Sequence, residues 1–211
     1  WVDKYEHIGA VIFAPGAGAT GFEALGEIIN GSVNPSGKTV DTFVKDLTET
    51  PYYNNMGLNA YTNVEDLKDQ IAANDPAYEG SMGFVNYAEG IYVGYRYFDT
   101  FGIPVRYGFG YGLSYTTFSV DGCTVAKTEN HGIKITADVK NTGNMAGKEV
   151  VQVYASLPGG GLEKEAHRLT AYAKTELLQP GQKQTVTLEV PAERLVSYDE
   201  KSAAWILEKG F

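Results

Sequence analysis

The stretch IKITADVKNTGN, residues 133–144, alternates apolar and polar side chains and then breaks into a turn. Ile133, Ile135, Ala137 and Val139 fall on one side of an extended chain; Lys134, Thr136, Asp138 and Lys140 fall on the other. A period of two marks a strand with one face in a core and one in water. The same pattern returns at Val151, Val153 and Ala155 and again at Val186, Leu188 and Val190. The turn signals NTGN, PGGG and QPGQ separate these runs. In QPGQ, Pro180 followed by Gly181 fits a type II turn, since Pro fixes φ and Gly supplies the positive φ that follows. Short alternating strands at this spacing predict an antiparallel β-sandwich of about 100 residues.

Upstream of about residue 115 the rules change. Ile8 to Ala14 is a near-continuous apolar run, which suits a strand buried on both faces in a mostly parallel sheet covered by helices. Thr20 and Glu23 fit a capping box, and Ala24, Leu25, Ile28 and Ile29 recur at helical spacing until Asn30-Gly31. NPSG, residues 34–37, reads as a turn. VEDLKDQIAAND, residues 64–75, reads as a short amphipathic helix with Leu67, Ile71 and Ala72 inward. The expected fold class is therefore α/β plus all-β, with mostly parallel α/β structure up to a boundary near residues 113–118 and an antiparallel β-sandwich after it. The chain opens on Trp1 beside an apolar run and stops at Phe211 inside what reads as a strand, so a piece of a longer polypeptide is expected.

Gly16, Gly18 and Gly21 stand at G-x-G-x-x-G spacing after the first apolar run, and GKT at 37–39 has the ending of a phosphate loop. The dinucleotide fingerprint needs a helix starting near its second glycine and a second strand ending in an acid. Here the helix is delayed to Thr20 and a turn stands where the strand belongs. The phosphate-loop pattern requires Gly at position 32, which is Ser32. Glycines that let a strand turn into a helix are the better reading, and no nucleotide or other cofactor is expected.

The chain of 211 residues carries a net charge of -9 and 43% hydrophobic residues. A core can form, and an acidic surface repels phosphate backbones, so nucleic acid is excluded as a partner. No apolar run approaches the roughly 18 residues of a membrane helix, so no membrane partner is expected. Cys123 stands alone, which excludes an internal disulfide and favours either a reducing, cytoplasmic compartment or a fold that needs no staples, leaving the compartment unassigned. It reads as a small buried apolar group. His7, His131 and His167 are far apart with no ligand spacing, so no metal is expected.

Four stretches carry a family resemblance: GFEALGEIINGSVNPSGKTVDTF (21–43), EGIYVGYRYFDTFGIPVRYGFGYGLSYTTF (89–118), DVKNTGNMAGKEVVQVYASLPGG (138–160) and LTAYAKTELLQPGQKQTVTLEVPAERLVSYDE (169–200). Together they resemble the C-terminal part of family 3 glycoside hydrolases of the β-glucosidase type, with Gly108 where a proline is usual. The resemblance implies the end of an α/β sandwich domain followed by a fibronectin type III-like domain that lacks its final strand. It implies a TIM-like barrel elsewhere in the parent, either before these domains or, in the permuted order that KSAAWILEKG (201–210) resembles, after them. It also implies a retaining mechanism through two carboxylates about 5 Å apart. In the family the nucleophile is an aspartate on the barrel, and the acid/base is usually a glutamate upstream of residue 1. No stretch here matches either motif, so no catalytic residue is assigned. The expected partners are the rest of the parent enzyme and a small saccharide.

Glu89 is the one residue expected near substrate, against a plainer reading in which it pairs with Arg96 or caps a turn. Glu89 and Asp99 lie ten residues apart, a spacing that says nothing about a catalytic pair. Tyr87, Tyr92, Tyr95, Tyr97, Tyr107, Tyr111 and Tyr115 offer faces to sugars, but packing against an adjoining domain suits their alternation better. The charge run LEKEAHR, residues 162–168, reads as a solvated loop. A rival reading makes the β-sandwich a carbohydrate- or protein-binding module.

Overall fold

The computed structural model describes residues 4–55, 66, 68–70, 73, 85–157 and 159–208. The N-terminal part contains helix α1 (Gly21–Ile29), strand β1 (Phe43–Val44), helix α2 (Tyr95–Phe101) and strand β2 (Val105–Tyr107). Strands β1 and β2 pair antiparallel. Of the helix expected over 64–75, residues 66, 68–70 and 73 are helical; its expected inward residues Leu67, Ile71 and Ala72 lie outside the described set. Among the described residues no helix is long and apolar enough to cross a membrane.

Two N-terminal expectations are corrected. Residues 8–14 form no strand, and their apolar side chains stand exposed, Phe13 at 65%. A strand of a parallel sheet needs neighbours on both edges and helices on both faces. The described residues give this segment little more than an edge-on contact of Phe13 with Phe43 at 5.1 Å. The capping box is also not made. Thr20 sits at φ -113°, ψ -13°, a helical conformation, and makes no side-chain cap bond. An extended N-cap residue would aim its hydroxyl at the first turn. The expected stop at Asn30 does form, with its N–H donating to the Gly26 carbonyl at 3.0 Å.

The C-terminal part is built as the alternation predicts. Strands β3 (Phe118–Lys127), β4 (Ile133–Asn141), β5 (Val150–Ala155), β6 (Arg168–Lys174), β7 (Lys183–Val190), β8 (Ser197–Asp199) and β9 (Ala204–Ile206) follow one another. β3, β4 and β7 form one antiparallel sheet with β4 central; β5 and β6 form a second, and β8 and β9 a hairpin. Val139, Val186 and Leu188 of the first sheet meet Val151, Val153, Ala171 and Ala173 of the second, with Leu178 closing the core. On β7 every second residue, Val186, Leu188 and Val190, is buried while the residues between are exposed. The QPGQ turn forms as read: Gly181 lies at φ +78° and Gln182 N–H donates to the Gln179 carbonyl at 2.9 Å. Cys123, in contrast to its reading, is exposed. It lies in a bulge where Gly122 and Cys123 together oppose Ala137, on a strand that is exposed from Val120 to Lys127.

Position 141 continues the inward parity of β4 and places Asn141 wholly inside. Its Oδ1 accepts from Thr116 Oγ1 at 2.8 Å and from Gly143 N–H at 3.1 Å. Its Nδ2 donates to the carbonyls of Met145 and Leu178, both at 2.8 Å. The amide thus fills its whole hydrogen-bonding capacity of two donors and two acceptors, which is what makes its burial affordable. Asn141→Ala strands these partners, so it is expected to lower stability by about 3 kcal/mol in urea unfolding, against under about 0.5 kcal/mol for Ala at exposed Asn144.

Candidate functional site

The turn expected at NPSG, and the lysine and threonine after it, meet two distant segments. Asn34 accepts at Oδ1 from Ser114 Oγ at 2.9 Å and from Tyr115 N–H at 2.8 Å. Its Nδ2 donates to the Ala146 carbonyl at 3.0 Å. Lys38 Nζ donates to the Gly112 carbonyl at 3.0 Å and pairs with Glu149 at 2.9 Å. Thr39 N–H donates to the Tyr111 carbonyl at 2.7 Å, its carbonyl accepts from Gly110 N–H at 2.8 Å, and its hydroxyl donates to the Gly108 carbonyl at 2.8 Å. Residues 34–39 therefore lie along 108–115 like a short paired strand. Side chains on both ends of the segment reach on into the loop before β5. Gly112 is required by this approach, because any Cβ there would run into the carbonyl oxygen of Gly37. The segment that imitates a phosphate loop has its lysine and threonine committed to protein groups.

A second seam joins α2 to the start of β6. Tyr95 packs against Phe109 at 4.8 Å and edge-on against Tyr154 at 5.9 Å. Its hydroxyl accepts from Leu169 N–H at 2.8 Å. Thr100 Oγ1 accepts from Ala166 N–H at 3.0 Å. Glu165, 3% exposed, takes a fork from Arg168, Nε at 2.7 Å and Nη2 at 3.1 Å, with Arg96 of α2 at 3.7 Å. The solvated-loop reading of LEKEAHR is thereby corrected. Glu165 is buried because Arg168, three residues on, supplies two hydrogen bonds and the opposing charge. Burial pushes the Glu165 carboxyl up, but the Arg168 hydrogen bonds and the charges of Arg168 and Arg96 outweigh it and hold it below the usual range. In the same loop Lys164 pairs with Glu208, and Glu208 also accepts from Gly161 N–H at 2.9 Å.

Glu89 is half-buried in a turn, where its carbonyl accepts from Tyr92 N–H at 3.0 Å. Arg96, its expected partner in the plainer reading, is turned to Glu165. Asp99 is exposed on α2. The tyrosines mostly contact other rings: Tyr92 meets Phe101 at 5.0 Å and Tyr107 stacks on Tyr111 at 4.9 Å. Tyr115 donates to the Ile28 carbonyl at 2.8 Å, while Tyr87 is 85% exposed. Burial and the charges of Tyr95 and Asp99 push the Tyr154 hydroxyl up to about 12.

Hydrolytic chemistry at this surface would need a proton donor and a facing carboxylate. The carboxylates of Asp138, Glu165 and Glu208 all contact cations and are held below the usual range, Asp138 by Lys183 and Thr185 and Glu208 by Lys164. Two open grooves, of about 550 Å³ along Lys4–Ile8 and about 470 Å³ beside Trp205, have one carboxylate each, Glu6 and Glu193. Among the described residues no group of three His, Cys, Asp or Glu could hold a metal ion.

Sequence reasoning missed Asn34, Asn141, Lys38 and Glu165. For Asn141 a signal existed: the parity of β4 continued one step gives an inward amide, which demands partners. The partners of Asn34 lie 80 or more residues away, and although Arg168 stands three residues after Glu165, the approach of α2 with Arg96 comes from 69 residues upstream, which no local spacing reports.

The family model described as the glycosyl hydrolase family 3 C-terminal domain matches residues 1–95, and that of the fibronectin type III-like domain matches 149–211. A relative called beta-glucosidase A, from Butyrivibrio fibrisolvens, is 39% identical over all of this chain and 25% of its own length. An exo-alpha-(1->6)-L-arabinopyranosidase from Bifidobacterium longum is 34% identical over 92% of this chain and 22% of its own length. The solved structure of beta-glucosidase 3B from Thermotoga neapolitana with alpha-D-glucose superposes at a TM-score of 0.74 and 35% identity, over 90% of this chain and 23% of that one. The chain thus spans a quarter or less of the length of these relatives.

The Glu165 cluster makes stability depend on acid. Its folded pKa lies below the unfolded one, so the contribution is complete above the ordinary carboxylate range and is lost as pH falls through the folded value. Glu165→Gln, which leaves Arg168 without its counter-charge, is expected to cost about 3 kcal/mol at pH 7 in urea unfolding. The gap to the parent chain should shrink steadily below about pH 4.5.

Proposed function

We infer, from a chain that belongs to the family 3 glycosyl hydrolases and carries their C-terminal domain with a fibronectin type III-like domain, that it is the non-catalytic scaffold of a retaining, β-glucosidase-type enzyme. The parent hydrolyses O-glycosidic bonds of β-glucosides or small oligosaccharides. The observation that carries this reading is the commitment of the seam carboxylates: Glu149 to Lys38, Glu165 to Arg168 and Glu208 to Lys164. Retention needs one carboxyl protonated and a second one ionised about 5 Å away. Glu165 and Glu208, held below the usual carboxylate range by Arg168 and Lys164, are poor proton donors at neutral pH.

In this reading residues 1–113 are the end of the α/β sandwich domain and 114–211 the β-sandwich that braces it through α2 and residues 34–39. The remainder of the enzyme, including the barrel, supplies both reacting acids and covers the exposed apolar run at 8–14. Glu89 sits on the α/β side and borders the saccharide. The presence of an arabinopyranosidase among the relatives fits a division of labour in which this part sets rigidity and other parts set the sugar.

One observation favours a second role. Tyr198 and Trp205, cross-strand partners on the β8–β9 hairpin, stand side by side with ring centres 5.3 Å apart and both exposed. Exposed paired rings suit sugar stacking. Titration calorimetry with cello-oligosaccharides that gives measurable heat, abolished by Trp205→Ala, would favour the binding-module reading.

The scaffold reading predicts no turnover of an aryl β-glucoside by this chain above a buffer blank, and activity in the full-length polypeptide. In the full-length enzyme Glu89→Gln is expected to raise KM about threefold or more; an unchanged KM removes Glu89 from the sugar site. Turnover by this chain, in a preparation free of contaminating glycosidase, would overturn the reading.

A further inference from the structure

The loop that leaves β5 carries Gly159, Gly160 and Gly161 and then Leu162, Glu163 and Lys164. Lys164 is an unusual cation for a loop, because its side chain is only 9% exposed. A buried ammonium needs acceptors and an opposing charge. The acids beside it are committed elsewhere. Glu165 is held in the Arg168 fork, and Glu163 accepts from the Tyr92 hydroxyl. Lys164 Nζ donates to the Leu162 carbonyl at 3.2 Å, and its charge is met by Glu208, 44 residues on.

The backbone receives the same carboxylate. Oε1 of Glu208 accepts from Gly161 N–H at 2.9 Å, while Oε2 takes the ammonium. Lys164 first, then the N–H groups of Gly161 and Leu162, outweigh burial and hold the carboxyl below the usual range. Consecutive N–H groups turned to one point make an anion cradle. Gly160 completes it by what it lacks, since a Cβ there would overlap the Glu208 carboxyl group. Two oxygens, each with its own donor, over a glycine floor suit a flat carboxylate better than a tetrahedral anion.

We propose that residues 160–164 form a carboxylate-binding site, which Glu208 fills as a tethered ligand and a free carboxylate fills when Glu208 withdraws. The site does not depend on the glycosidase reading. Glu208 follows β9, so its occupancy ties the segment after the hairpin to the loop that α2 grips at Glu165 and Ala166. Exchange for a free carboxylate lets that segment go while Lys164 keeps a counter-charge. A tethered ligand outcompetes free ones, so the intact chain masks the site.

The test uses this chain at neutral pH with acetate as the probe and sodium chloride at equal ionic strength as the control. Glu208→Ala opens the cradle. About 50 mM acetate should then raise Tm by about 2 °C or more over chloride and move the Gly161 amide resonance in a saturating titration, while the parent chain shifts by less than about 1 °C. Lys164→Ala added to Glu208→Ala should abolish both responses. Gly160→Ala leaves every charge in place and pushes Glu208 out, so its loss in Tm should largely disappear on the Glu208→Ala background. Equal responses to acetate and chloride, a still Gly161 resonance, or losses from Gly160→Ala and Glu208→Ala that add would each overturn the proposal. Phosphate matching acetate at equal ionic strength would overturn it too, since the cradle would then be a general anion site. Should Glu208→Ala not fold, Gly160→Ala decides alone: Gly161 amide exchange about tenfold or more faster than in the parent chain supports the tethered ligand, and unchanged exchange overturns it.

Discussion

Two asparagine side chains govern how this chain is held together. Asn34 receives Ser114 and Tyr115, and Asn141 receives Thr116. Between them they fix consecutive residues of the crossing from the α/β part to the sandwich. Thr116 N–H donating to Ser114 Oγ at 3.3 Å ties the two sites to each other. Each amide also reaches the turn between β4 and β5, Asn34 at Ala146 and Asn141 at Met145. An amide can do this because it offers two donors and two acceptors within one small plane. A carboxylate would repel carbonyls, and an aliphatic residue would remove three of these bonds at position 34 and four at position 141. The segments it joins contain backbone that no ladder pairs, so the side-chain amides do the work that strands do elsewhere.

Seen this way, the glycine- and tyrosine-rich block at 87–118 is an adhesive surface. Gly112 admits the backbone of residue 37, and Tyr95 lends its ring to the sandwich and its oxygen to Leu169. Tyrosine suits a seam of this kind because one end packs and the other hydrogen-bonds. The ionic cluster around Glu165 adds direction. Arg96 comes from α2 while Arg168 comes from β6, so the buried carboxylate draws both parts to one point. Its burial would be costly alone and is tolerable only with the Arg168 fork in place. Under the scaffold role proposed above, a rigid junction would serve reacting groups on other segments, since small displacements of a wall are costly to transition-state fit.

The sandwich was readable because its determinants are local. Alternation over Ile133–Val139 and Val186–Val190 fixes both strand and face, and Pro180-Gly181 fixes a turn, whatever surrounds them. The family resemblance was legible in the same way, from contiguous motifs. Residues 8–14 mark the other limit: their apolar run carries the demand for burial but not the partner that meets it. Thr20 and Glu23 had the right spacing for a capping box, yet the backbone at Thr20 is helical and the hydroxyl makes no cap bond. Cys123 has the composition of a buried group, yet β3 is exposed from Val120 to Lys127, and its own sequence does not tell how much of the strand is covered. A charge in a loop is usually solvated, so Glu165 reads as exposed; only the fold brings Arg96 to it. For Glu89 the sequence supplied a candidate, and the fold adds that it sits half-buried in a turn.

The account turns on the two asparagines acting through one shared segment rather than as separate braces. The most direct check is a double-mutant cycle, with Asn34→Ala, Asn141→Ala and the pair compared by urea unfolding of the same chain. A shared segment predicts a coupling energy of about 1 kcal/mol or more, because the first substitution already frees residues 114–116. Losses that add to within about 0.4 kcal/mol would contradict it, and would make the crossing two independent contacts.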